Sequence, residues 1–301
     1  MLSEAGDQSQ NLSLGVTVAV GEIFLMVGIS VLVKQISVDL STVTILMFRY
    51  LFCLPLLIAV ALKQRGRQAL EVTRYRVLVI RVVAGLGSLS CFYAALDILS
   101  LAKVTALLQM ITLFITFLAP FMLNEHVGRR RWMAVLLGFF GAIILINPGS
   151  SEWSFFGVAF GLGAPFFAAI MMIMLRKLGQ SDNPASTAIW YNVTGSLIFA
   201  GLFLWQGNGF PNTSAELATL VLVGILSSFQ QYFIAFSHKL APASFLALFR
   251  YLSVPVGILA GIIFFNEQLT AIVLFGSVLI IMSSAFIVWR EKKRWSAPSQ
   301  P

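Results

Sequence analysis

Apolar residues run in unbroken stretches of membrane-spanning length along almost the whole chain, and polar residues gather in short gaps between them. The runs are apolar on all sides, which predicts helices in lipid. Barrel strands would instead alternate apolar and polar over about ten residues. The pattern predicts ten helices, over about 14–33, 42–62, 77–97, 102–123, 131–147, 155–175, 186–205, 216–237, 242–265 and 270–289. Turn chemistry fills several gaps: Asn147-Pro148-Gly149, Asn183-Pro184 and Gly207 to Pro211.

One stretch occurs twice. From Leu101 the chain reads LAKVTALLQMITLFITFLAPFMLNEHVGRRRWMAVLLGFFGAIILINP, a spanning run, an Asn-Glu hinge with three arginines, and a second run. From Leu240 it reads LAPASFLALFRYLSVPVGILAGIIFFNEQLTAIVLFGSVLIIMSSAFIVW. Each copy opens with Leu-Ala and closes its first helix with Asn-Glu, at Asn124-Glu125 and Asn266-Glu267, about 140 residues apart. The duplication predicts two repeats. Residues 1–149 carry helices 1–5, residues 150–290 carry helices 6–10, and 291–301 form a tail.

Composition supports an integral membrane protein. The chain is 58% hydrophobic and 11% charged, with a mean hydropathy of +0.90; soluble domains carry about 25% charge. The net charge of +8 reads as topology and not as nucleic-acid binding, because Lys and Arg collect in cytoplasmic connections. Alternate connections hold fifteen basic residues, among them Lys63, Arg74, Arg129, Arg130, Arg131, Arg176, Lys177 and Arg290. The opposite connections hold two, Lys34 and Lys103. This bias predicts that both termini are cytoplasmic. Five helices per repeat, an odd number, then make the second repeat enter the membrane inverted, the usual basis of alternating access. The polar N-terminus lacks the basic start of a signal peptide, so the first helix is expected to remain as an anchor. Cys53 and Cys91 fall inside helices and read as packing residues.

The chain resembles the drug/metabolite transporter superfamily, in particular the ten-helix EamA-type carriers. The resemblance rests on FYAALDILSLAKVTALLQMITLFITFLAPFMLNEHVGRRRWMAVLLGFFGAIIL and on the second copy ending GIIFFNEQLT. It covers nearly the whole chain. It implies an all-α integral membrane protein of two inverted five-helix repeats, carrying small organic solutes through a central cavity lined by both halves. One departure is Arg250 inside helix 9, where many relatives look uncharged.

Ionisable groups inside the bilayer are costly and need a reason. Glu22, Arg49, Arg81 and Arg250 stand within predicted helices. Arg81, near a helix end, either snorkels to the headgroups or faces the cavity. Arg250, with Arg49 in support, is expected to fork onto a substrate carboxylate; the alternative is a structural ion pair with Glu22. Glu22 is the candidate for the coupling proton, a role that a nearby arginine would oppose. On helix 4, Thr105, Gln109, Thr112 and Thr116 share one face. They either line the cavity or bond within the bundle. Gln109 falls close to the position of Arg250 in the other repeat.

Aromatic and amide residues recur in helices 3, 7 and 8, at Tyr93, Trp190, Tyr191, Asn192, Gln230, Gln231 and Tyr232, and Tyr251 accompanies Arg250. Tyr93, Trp190, Asn192, Gln230 and Tyr251 join the arginines as candidate substrate-binding residues. Gly157 with Gly161 and Gly257 with Gly261 permit close helix approach. Pro120, Pro165 and Pro255 should kink helices 4, 6 and 9. Glu125 and Glu267 read as helix-end residues.

No enzyme is expected. His126 and His238 lack metal-ligand spacing, no phosphate-binding loop implies ATP, and no nucleophile has a visible base partner. No cofactor is expected. The expected partners are a small-molecule substrate and membrane lipid, with the chain a monomer or homodimer. The expected function is secondary transport across the inner membrane of a bacterium, exporting a carboxylate-bearing amino-acid-like compound or an opine-type metallophore. Uptake of an aromatic vitamin such as riboflavin is the second reading, and a non-transporting membrane sensor or partner subunit the third.

Overall fold

The structure, a computed structural model, describes residues 12–66, 71–123, 127–147, 154–178, 184–206, 210–240, 246 and 249–295. Among them all regular structure is helical. The elements are α1 (Leu12–Ile36), α2 (Thr42–Arg65), α3 (Tyr75–Ile98), α4 (Leu101–Leu108), α5 (Ile111–Met122), α6 (Arg129–Ile146), α7 (Phe155–Leu178), α8 (Pro184–Gln206), α9 (Ser214–Leu240), α10 (Ser253–Phe265) and α11 (Ala271–Trp295). Eight spans are long and apolar enough to cross a membrane, with α4 and α5 forming one of them. Helix α6 and the ninth helix, which ends in α10, complete ten. The protein is an all-α, multi-pass membrane protein.

Two of the expected helices are interrupted. The helix expected over 102–123 is split at Gln109-Met110, where the Gln109 and Met110 N–H groups bond back three residues, to Ala106 O (3.1 Å) and Leu107 O (3.0 Å). The helix expected over 242–265 does the same at Tyr251-Leu252: Leu252 N–H bonds Phe249 O at 2.9 Å and Val254 N–H bonds Tyr251 O at 3.2 Å. (Residues 241–245, 247 and 248 of that helix lie outside the described set.) Tyr251 follows Gln109 by 142 residues, as Asn266 follows Asn124, so the break occupies one position in both repeats. Proline explains the second break, because Pro255 has no N–H to return to Tyr251 O. In the first, the Ser284 hydroxyl donates to Gln109 O at 3.1 Å and takes the carbonyl that the helix leaves open.

The two broken helices run antiparallel. Leu101 N–H bonds Glu267, Thr105 packs on Gly257, and Gln109 bonds Ser253. The numbers rise on one helix and fall on the other, so the repeats cross the bundle in opposite senses. Packing has the same symmetry. Helix α1 packs on α9 as α3 packs on α7, and α1 on α10 as α5 on α7. The pairs α2 with α8 and α6 with α11 each map onto themselves when the repeats are exchanged, and α4 with α10 pairs the two broken helices with each other. Every one of these pairs joins one repeat to the other, so the repeats interlock.

Small residues set the spacing. A Cβ on Gly141 would stand 3.1 Å from Gly276 O, so α6 and α11 meet backbone to backbone. A Cβ on Gly257 would meet Thr105. Lipid tails are as apolar as the helices, so close packing and internal hydrogen bonds hold such a bundle.

Candidate functional site

Two buried arginines face a pair of tyrosines between α2, α3 and α8. Arg49, one third along α2, and Arg81, one turn and a half into α3, are each 6% exposed. The Arg49 guanidinium carbon lies 5.3 Å from the centre of the Tyr50 ring, and that of Arg81 lies 4.3 Å from the centre of the Tyr191 ring. The tyrosine hydroxyls hydrogen-bond each other at 2.8 Å, with the rings edge to face at 5.4 Å. Tyr191 also donates to Gly85 O at 3.3 Å. Gly85 and Gly195 make room for these rings, since a Cβ on either would come within 2.8 Å of Tyr191 or Tyr50. Phe199 stacks on Tyr50 at 5.7 Å.

Among the described residues no carboxylate lies beside the arginines. The polar neighbours of Arg49 are Tyr93, Tyr50, Tyr191 and Cys53, and those of Arg81 are Tyr191 and Tyr50. On each guanidinium, Nε and Nη1 are buried without a hydrogen-bond partner, and the Tyr93 side chain lies against Arg49. Arg81 therefore does not snorkel. Its side chain turns into the bundle. A buried unpaired cation is among the most expensive groups a protein can hold, and it favours any anion that can reach it. A polar rim continues the cluster. Asn192 donates to Gln231 at 3.4 Å, Gln231 donates to Cys53 Sγ at 3.2 Å, and Ser228 donates to Cys53 O at 3.0 Å.

The second arrangement is where the two breaks meet. Gln109 Nε2 donates to Ser253 Oγ at 2.7 Å, and Ser253 Oγ donates to Arg250 O at 2.8 Å. Tyr251 reaches the Thr112 side chain. Arg250 itself is exposed. Thr105 and Thr116 bond back to carbonyls of their own helix, Thr105 to Leu101 and Ala102 and Thr116 to Thr112.

The third is a latch at one end of the bundle. Asn266 takes a left-handed conformation (φ 51°) and ends α10, and Glu267 N–H bonds Gly261 O at 3.1 Å. The Glu267 side chain then folds over Gly261, where any Cβ would overlap it. Its oxygens accept from Leu101 N–H (2.7 Å) and Ala102 N–H (3.3 Å), capping α4 of the other repeat. Lys34 Nζ lies 3.5 Å from Glu267 Oε1 and donates to Leu96 O at 3.2 Å and Leu99 O at 2.5 Å. Four helices converge there. At the opposite end Lys177, 143 residues after Lys34, donates to Met122 O at 2.9 Å. Glu125, the counterpart of Glu267, lies outside the described residues.

The other expected residues are placed apart from one another. Tyr93 and Asn192 are fully buried near Arg49 and Gln231. Gln230 donates to Glu22 at 3.1 Å, tying α9 to α1. Trp190 is 39% exposed on α8. The structure thus groups Arg49, Arg81, Tyr93 and Asn192, groups Gln109 with Tyr251 and the Arg250 backbone, and sets Glu22 with Gln230. Tyr50 carries no signal in the sequence beyond following Arg49, and Lys34 none beyond its place in the count of basic connections. A groove of about 500 Å³ opens between α2 and α9, lined by Leu56, Val60, Lys63, Ser228, Phe229 and Tyr232.

A family model described as the EamA-like transporter family matches this chain twice, over residues 13–147 and 155–289. The chain belongs to the EamA-like transporter family. It is 31% identical to a riboflavin transporter of Rhizobium johnstonii, over 84% of this chain and 81% of that one. It is 28% identical to the pseudopaline exporter CntI of Pseudomonas aeruginosa, over 90% and 95%, and 26% identical to an S-adenosylmethionine uptake transporter of Rickettsia prowazekii, over 89% and 90%. One solved crystal structure superposes with a TM-score of 0.65 at 14% identity, covering 95% of this chain and 99% of that one, and shares the fold. The EamA match thus covers both arms of each arrangement above: Arg49 and Arg81 fall in its first copy, Tyr191, Ser253 and Glu267 in its second.

Proposed function

We propose that this EamA-family transporter is a secondary carrier in the inner membrane of a bacterium. It exports a carboxylate-bearing amino-acid-like compound, or an opine-type metallophore, by alternating access. The observation that carries this reading is the pair of buried arginines, Arg49 and Arg81, whose Nε and Nη1 atoms lack partners. A carboxylate supplies two acceptor oxygens in the plane of a guanidinium. The resemblance to a pseudopaline exporter supports the direction. The proposed binding set is Arg49, Arg81, Tyr93 and Asn192, with Arg250, Tyr251 and Gln109 at the broken helices and Gln230 and Trp190 beyond. Glu22, held by Gln230, is the proposed proton-coupling group. The basic bias of alternate connections supports cytoplasmic termini and, with them, an outer position for the Lys34 end.

A second reading is uptake of riboflavin. The tyrosine pair and the 31% identity to a riboflavin transporter favour it. Reconstituted vesicles test both. Carboxylate-bearing amino-acid analogues moving faster than through protein-free vesicles, and slowed by R49Q, support the first reading. Riboflavin moving instead selects the second. Flux of neither leaves the sensor reading.

A further inference from the structure

We propose that the solute carries two separate acidic groups, one for each buried arginine. The proposal rests on the transport reading and narrows its substrate class to small organic dianions. Arg49 faces Tyr50 and Arg81 faces Tyr191, the two members of the hydrogen-bonded pair. Arg49 lies at the level of Tyr93, which is twelve residues beyond Arg81 on α3, or about 18 Å along a helix axis. The side chains reach back toward the tyrosines. Arg49 to the Tyr50 ring is 5.3 Å, the two rings are 5.4 Å apart, and Arg81 to the Tyr191 ring is 4.3 Å, so the guanidinium carbons are no more than about 15 Å apart.

Charge balance carries the inference. The described neighbours of both guanidiniums are phenols and one thiol, with no carboxylate. Tyrosine rings soften a cation through their π faces, but they do not neutralise it. One carboxylate on the solute would satisfy one fork and leave the second cation buried and bare. Two acid groups satisfy both. With Tyr191 donating to Gly85 O and Tyr50 donating to Tyr191, the hydroxyl pair offers the middle of the solute acceptor lone pairs only. A neutral solute could accept from the Nε and Nη1 groups but would leave both buried charges unbalanced.

The test uses the full chain in proteoliposomes, fed a water-soluble extract of bacterial metabolites, with accumulated solutes identified by mass spectrometry. Protein-free vesicles give the background. The expected result is accumulation of solutes with two acid groups. R49Q and R81Q should each reduce it about tenfold or more, the effect of one lost charge-assisted contact. R49K and R81K, which keep the charge, should retain part of it and serve where a Gln variant does not fold. Accumulation only of neutral or single-acid solutes overturns the dianion assignment and leaves the carrier reading standing. Accumulation of nothing above background overturns both.

Discussion

Gln109 and Ser253 meet across the two broken helices, amide to hydroxyl at 2.7 Å, 144 residues apart in sequence. Each sits at a point where its helix gives up regular hydrogen bonding, so side chains join the two half-turns. Removing either partner leaves the other only a bond to its own helix, Ser253 to Arg250 O at 2.8 Å or Gln109 to Thr105 O at 3.5 Å. Q109A and S253A should each lower Tm in detergent by the equivalent of about 1 kcal/mol. The double variant should cost less than the sum, with a coupling energy of about 0.5–1 kcal/mol. Fully additive losses would show that the bond does not hold the breaks together.

Glu267 closes one end of the bundle by capping a helix of the opposite repeat while pairing with Lys34. A neutral amide accepts fewer and weaker bonds and has no ionic partner. E267Q should open that end more often. Labelling of I258C, beside the capped turn, by an impermeant maleimide added outside should rise about three- to tenfold, as expected for about 1 kcal/mol of lost closure. K34M should raise it in the same direction. Labelling unchanged in both variants would mean that the contact does not gate.

Gly195 lies against Tyr50 at a distance no Cβ tolerates, whereas a Cβ on Gly201, two turns on, would meet nothing within 4 Å. The pair makes an internal control on one helix. G195A should lower Tm by the equivalent of about 1–3 kcal/mol through overpacking, and should lower transport by displacing Tyr50. G201A should be neutral or gain about 0.5–1 kcal/mol from helix propensity. Equal effects at both positions would remove the claim that the tyrosine fits by virtue of the glycine.

Glu22 accepts from Gln230 within the bundle. If it carries the coupling proton, E22Q keeps the hydrogen bond's geometry but has nothing to titrate. Transport by E22Q should then become insensitive to an imposed pH gradient while exchange at equal pH persists. Gradient-driven flux that survives in E22Q would move the proton elsewhere.

Arg49 and Arg81 were legible because a charge inside an apolar run stands out against its neighbours. Their surroundings were not. Tyr50 and Cys53 look like ordinary members of apolar helices, Tyr191 stood out only as one of a set of recurring aromatics, and packing alone makes them the lining of a cationic site. The break at Gln109 was equally hidden. No glycine or proline marks it, and hydropathy treats Leu101 to Met122 as one span. The matching break at Tyr251 was half legible, through Pro255. Glu267 read as a helix end, which it is; that it caps a different helix needed the fold.

The sequence by itself determined that this chain lives in lipid, crosses it ten times and is built from one unit used twice. Those properties are local, because hydropathy and length decide whether a segment enters a bilayer, and a repeat is visible by comparing a chain with itself. Only the tertiary structure decided which copies touch. In lipid no hydrophobic force sorts one apolar helix from another. Partners are chosen by glycine-sized gaps, capped helix ends and a few buried hydrogen bonds, and these depend on three-dimensional fit between residues more than a hundred positions apart.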